Sequence, residues 1–144
     1  QTNEGLIQSY VHAGSRMAVL VEVNCETDFV ARTPEFKALA HDIAIQIAST
    51  NPKYVRKEDV PADVLSAQTD KYKQDAMNEG KPANIAERIA LGRMEKYYQE
   101  TVLLEQQFVK DDEVKMSELL KSAIAKIGEN IVIRRFVRYE LGGE

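Results

Sequence analysis

Apolar and polar residues alternate at the two ends of the chain, and apolar residues recur at helical spacing between them. Leu6 to His12 reads as a short strand, Ala13-Gly14-Ser15-Arg16 as a turn, and Met17 to Asn24 as a second, valine-rich strand. Together they predict an antiparallel hairpin. Met17, Val19, Val21 and Val23 share one face, and Ala18, Leu20, Glu22 and Asn24 share the other. Asn130 to Leu141 is the longest predicted strand. Strict alternation puts Ile131, Ile133, Arg135, Val137, Tyr139 and Leu141 on one face of it. Val132, Arg134, Phe136, Arg138 and Glu140 take the other.

Between the strands the period changes. Thr33-Pro34 is a helix start, with Thr33 as cap and Pro34 where its missing N–H costs nothing. Phe36, Leu39, Ala40, Ile43 and Ile47 then form one stripe, and Asn51-Pro52 ends it. Pro61 opens a second helix that runs to about Asn78; Gly80 stops it and Pro82 begins a third. The stripe on this pair is thin, which predicts a helical hairpin over about residues 61–101 that projects from the body. Val102 to Leu104 returns to the core, Lys110 to Glu113 is a surface turn, and Ser117 caps a short helix closed by Gly128. Gly142-Gly143-Glu144 is expected to fray. The predicted fold class is α+β: one domain, residues 1–144, with a three-stranded antiparallel sheet, helices on one face and a projecting helical hairpin.

Composition narrows the function classes. The 144 residues, 44% of them hydrophobic, are enough for one domain with a core. No apolar run approaches the roughly 20 residues of a membrane span. A net charge of −4 argues against nucleic-acid binding, which needs clustered positive charge. The single cysteine, Cys25, excludes an internal disulfide and reads as a small buried hydrophobe suited to a reducing compartment. The polar start Gln1-Thr2-Asn3-Glu4 shows no leader, and the missing Met suggests a processed or trimmed chain. No phosphate-cradling glycine loop points to direct nucleotide binding. His12 and His41 lack metal-ligand spacing, and alternation scatters Glu22, Glu26 and Asp28. The expectation is a protein with no cofactor and no reaction centre.

Two features remain. Helices on one side of a sheet cover only one face, yet Leu20, Val132 and Phe136 make the opposite face partly apolar. That suggests sheet-on-sheet packing with a second copy, against the plain alternative of scattered exposed apolar residues. The other feature is Thr27-Asp28-Phe29-Val30, directly behind the second strand. Either Thr27 caps a helical turn, Asp28 favours its positive end and Phe29 and Val30 pack inward, or Phe29 is held out for a partner.

The run Val21-Glu22-Val23-Asn24-Cys25-Glu26-Thr27-Asp28-Phe29-Val30-Ala31-Arg32 closely resembles the signature of the elongation factor Ts family. Gly5-Leu6-Ile7, Glu35 to Ala44, Asn78-Glu79-Gly80-Lys81-Pro82, Val102 to Gln106 and Ile127 to Phe136 resemble further family segments, in order, over nearly the whole chain. The resemblance implies a guanine-nucleotide exchange factor for the GTPase elongation factor Tu in cytoplasmic translation (bacterial, or in an organelle matrix or stroma). It implies that Thr27, Asp28, Phe29 and Val30 meet the GTPase. The Phe29 ring would insert between two of its helices, so that contacts to Mg²⁺ and diphosphate weaken and GDP leaves. It also implies a homodimer, since short members of the family pair through their sheets.

There are departures. The family's small N-terminal three-helix domain, similar to ubiquitin-associated domains, has no counterpart here, and Gln107 stands where many members resemble Gln-Pro-Phe. The missing domain keeps open an alternative: a structural or docking module that retains the dimer sheet and binds the GTPase or ribosome without efficient exchange.

Overall fold

The computed structural model describes residues 1–143; the terminal Glu144, part of the expected frayed end, lies outside them. Two strands open the chain, β1 (Glu4–Val11) and β2 (Met17–Cys25). A one-turn helix α1 (Asp28–Ala31) leads into α2 (Pro34–Thr50), and α3 (Ala62–Asn78) and α4 (Ala83–Thr101) follow. A short ribbon, β3 (Gln107–Phe108) and β4 (Asp111–Lys115), precedes α5 (Met116–Ile127) and β5 (Val132–Glu140). The fold is α+β, with a three-stranded antiparallel sheet in the order β1-β2-β5.

The valine-rich β2 is the middle strand because it is apolar enough to be covered on its inner face. Val19, Val21 and Val23 meet Phe36, Leu39, Ala40, Ile43 and Ile47 of α2, and Ile131, just before β5, and Ile133 within it join them. Thr33 caps α2 as its position predicts, accepting from the Phe36 N–H at 3.3 Å. Gly5 permits a close approach of β1 to β2. It sits at φ +145°, and a Cβ there would overlap the Val23 carbonyl oxygen and stand 2.8 Å from Asn24 Cα.

One prediction fails at a β-bulge. β5 pairs Ile133 with Val23 but Arg135 with Glu22, so Arg134 is an extra residue. A single insertion flips every later side chain to the other face. Phe136 therefore lies opposite Val21 and packs against the core instead of facing outward. Arg138 follows it to the inner side, where its guanidinium donates to the Ala48 carbonyl of α2 at 3.1 Å. Val137, opposite Leu20, and Tyr139, opposite Ala18, take the outer face that strict alternation denied them. Val132 does stand on that outer face, opposite Asn24.

The uncovered face is consequently more apolar than the sequence suggests. Ile7, Val11, Leu20, Val137 and Tyr139 all expose a third or more of their surface, Ile7 63% and Tyr139 75%. Glu22 sits among them. A hydrogen bond from Asn24 at 3.0 Å, and then Arg135 at 2.8 Å, hold its carboxyl below the usual carboxylate range against the opposing effect of burial.

Helices α3 and α4 form the predicted hairpin, and none of their residues joins the main core. Small residues, Ala76, Ala86 and Ala90, let the two helices approach, with Met94 beside them. Gly80, at φ 94°, closes α3: the Lys81 N–H reaches the Ala76 carbonyl and the Gly80 N–H reaches that of Met77. Two smaller expectations are corrected. Lys115, not Ser117, precedes the first turn of α5, without a side-chain cap, and Asp111 to Glu113 belong to a strand instead of a plain turn. The β3–β4 ribbon is fastened at β3 and the turn after it by the buried Gln46, whose Nε2 donates to the Gln107 carbonyl at 3.0 Å and whose Oε1 accepts from the Val109 N–H at 2.8 Å. Among the described residues no helix is long and apolar enough to cross a membrane.

Candidate partner-docking turn

Strand β2 ends at Cys25, and the chain must turn sharply to enter α2. It does so through a single helical turn between two threonine caps. Thr27 opens α1, its hydroxyl oxygen accepting from the Val30 N–H at 3.3 Å. Thr33 closes it and opens α2, its hydroxyl donating to the Val30 carbonyl at 2.8 Å. Asp28, at the positive end of the turn, pairs with Arg32 at 2.7 Å; both are exposed, so the pair adds little stability.

The direction of each side chain follows from helical geometry. Val30 and Ala31 are buried, 7% and 5% exposed, and belong to the main core. At about 100° per residue, Phe29 then points roughly 150° away from the buried direction. It is 81% exposed, the most exposed of the chain's large hydrophobic side chains. The inward-packing alternative therefore holds for Val30 and fails for Phe29. The four residues do not present one common surface: Asp28 and Phe29 project, Thr27 holds the turn, and Val30 anchors it.

Cys25, fully buried, donates from Sγ to the Thr27 carbonyl at 3.2 Å. Burial first, and then the charge of Glu129, push its thiol above the ordinary value, in keeping with its place in the main core. Among the described residues no group of three or more His, Cys, Asp or Glu side chains could hold a metal ion.

One residue at this corner carried no role in the sequence reading. The Glu129 carboxylate, just beyond α5, accepts from the Glu26 N–H at 3.1 Å, the Thr27 N–H at 3.1 Å and the Thr27 hydroxyl at 2.7 Å. In return Glu26 accepts from the Asn130 N–H at 2.6 Å. The only sequence signal was Glu129's place within the family-like segment Ile127 to Phe136, because the two corners lie about a hundred residues apart.

Fold and turn together define a small α+β module that presents an aromatic side chain on a braced corner. A family model described as elongation factor TS matches residues 1–142. Elongation factor Ts of Carboxydothermus hydrogenoformans is 55% identical over 139 residues, 96% of this chain and 64% of that protein. Those of Caldanaerobacter subterraneus and Herpetosiphon aurantiacus are 56% and 54% identical over 140 residues, 97% of this chain and 70% and 71% of theirs. The chain belongs to the elongation factor Ts family, and it spans about two thirds of the length of these relatives.

The opposite placement of neighbouring residues gives a direct check. Phe29→Ala should change unfolding free energy by less than about 0.5 kcal/mol, as for an ordinary surface site. Val30→Ala should cost about 1–3 kcal/mol. Urea denaturation of the two variants decides this, and a larger loss for Phe29→Ala would contradict the placement.

Proposed function

We propose that the chain is a guanine-nucleotide exchange factor for elongation factor Tu, acting in cytoplasmic translation by inserting Phe29 into the GTPase. The observation that carries this reading is a large aromatic side chain, 81% exposed, on a turn whose neighbouring residues are buried and capped. An exposed Phe has no folding reason to sit there, and family membership supplies the kind of partner that would cover it. The factor makes and breaks no covalent bond. Phe29 enters between two helices of the GTPase, the contacts to Mg²⁺ and diphosphate weaken, and GDP leaves. Asp28 meets the same surface. Thr27 and Val30 act by holding the turn.

Linkage sets the scale. A factor that weakens GDP binding by some ratio binds the nucleotide-free GTPase tighter by the same ratio. A shift of about 10⁴ requires roughly 5.5 kcal/mol. Burying one Phe yields about 1.5–3 kcal/mol. Phe29 is therefore the wedge but not the whole interface. The exposed surface of α3 and α4 is available for the remainder.

We further propose a homodimer joined through the outer sheet face. Leu20 and Val132 belong to this interface as the sequence suggests, and Ile7, Val137 and Tyr139 extend it, while Phe136, partly buried, packs against the core. The exposed apolar side chains on a face that no helix covers support this pairing.

Phe29→Ala should slow GDP release from labelled-GDP elongation factor Tu by roughly 30- to 1000-fold, the equivalent of about 2–4 kcal/mol at a central interface residue. Stopped-flow release by folded variant tests it. Tight binding with no release by the parent chain would leave the docking module instead. For the dimer, Val137→Asp should weaken association in light scattering at micromolar concentration with the fold intact. Phe136→Asp should lower the melting temperature. A parent chain monomeric at every concentration would reject the pairing.

A further inference from the structure

We propose that Glu129 is a positioning residue for Phe29, so that α5 sets the aim of the wedge; this rests on the wedge reading above. The amides of Glu26 and Thr27 lie past the last β1–β2 pair, Glu4 with Cys25, where no strand partner can satisfy them. Glu129 takes both, and takes the Thr27 hydroxyl proton at 2.7 Å. A hydroxyl has one proton. With that proton committed to Glu129, the Thr27 oxygen is oriented as an acceptor, and the Val30 N–H meets it at 3.3 Å. The carboxylate thus fixes the cap, and the cap fixes the one-turn helix on which Phe29 stands.

The other end of this chain of contacts is a closed helix end. Glu129 follows Gly128, which closes α5 in the left-handed conformation at φ 86°, its N–H bonded to the Ile124 carbonyl at 2.9 Å. A carboxylate accepting from backbone N–H groups forms stronger bonds than a neutral acceptor. The reciprocal bond from the Asn130 N–H to Glu26 at 2.6 Å closes the corner from the opposite side. A turn of four residues has too few internal bonds to hold one orientation alone. Tied to α5 at three atoms, it holds Phe29 ready before the partner arrives, which lowers the ordering cost of binding.

The test is a double-mutant cycle on the full chain, read by release of labelled GDP from elongation factor Tu. Glu129→Ala should slow release about tenfold when Phe29 is present, since misaiming a contact group by about 1 Å is enough for such losses. In the Phe29→Ala background the same change should cost less than about twofold. Glu129→Gln keeps an acceptor for the two amides but presents an NH2 donor where the Thr27 proton was taken, so it should leave the Glu26 and Thr27 amides protected while release slows about as in Thr27→Val. Thr27→Val, which removes the hydroxyl between Glu129 and Val30, carries the Glu129→Ala expectation by a second route. Amide exchange gives a readout independent of activity. In Glu129→Ala the Glu26 and Thr27 amides should exchange about tenfold faster, with Val23 unchanged. Equal slowing in both backgrounds, no slowing at all, or unchanged exchange at Glu26 and Thr27 would overturn the inference while the wedge reading stands. Phe29→Ala releasing GDP at the parent rate would overturn the wedge reading itself, and the inference with it.

Discussion

Burial of Val30 and Ala31 is the constraint on which the rest of the site depends. Both side chains are part of the main core, in a helix only one turn long. Helical periodicity leaves their neighbour no inward direction, so Phe29 is exposed by geometry and not by chance. The core that holds Val30 is the same one that fixes β2 against α2. The position of Phe29 is thereby tied to the main core. Thr27 and Thr33 end the turn after four residues, before a longer helix could rotate other side chains outward.

Phe29 and the outer sheet face both present apolar surface to solvent, and their shapes differ. Phe29 is a single projecting ring with buried residues behind it, suited to a cleft between two elements. The outer sheet face is broad, lined by Ile7, Leu20 and Val137, and suited to another flat surface. Glu22 and Arg135 place an ion pair among these side chains. Arg135 is largely exposed, so the pair adds little stability by itself. The α3–α4 hairpin shares no residue with the main core.

Much of this was legible in the chain. Alternation marked β1 and β2, and Thr33-Pro34, Gly80 and Gly128 marked helix ends, because caps and left-handed glycines act locally. The stripe Phe36, Leu39, Ala40, Ile43 and Ile47 named the core-facing side of α2 correctly, and the thin stripe after Pro61 gave the helical hairpin. The bulge at Arg134 was not legible. Nothing in Arg134-Arg135 distinguishes an inserted residue from a paired one, and a strict period of two then exchanged Phe136 with Val137. The β3–β4 ribbon escaped because it depends on Gln46, about sixty residues away. Residue types alone left Phe29 free to point inward or outward; family resemblance pointed outward, and the geometry of the turn agrees. Glu129 could not be assigned, since its donors lie on a distant corner that only folding brings within reach.

Fluorine NMR of the chain with 4-fluorophenylalanine at position 29 tests the central claim most directly. The free chain should give one narrow resonance close to that of the solvent-exposed amino acid. Addition of nucleotide-free elongation factor Tu should shift and broaden it, and excess GTP should restore it. A resonance displaced in the free chain, or one unmoved while the complex forms, would contradict an exposed side chain held ready for insertion.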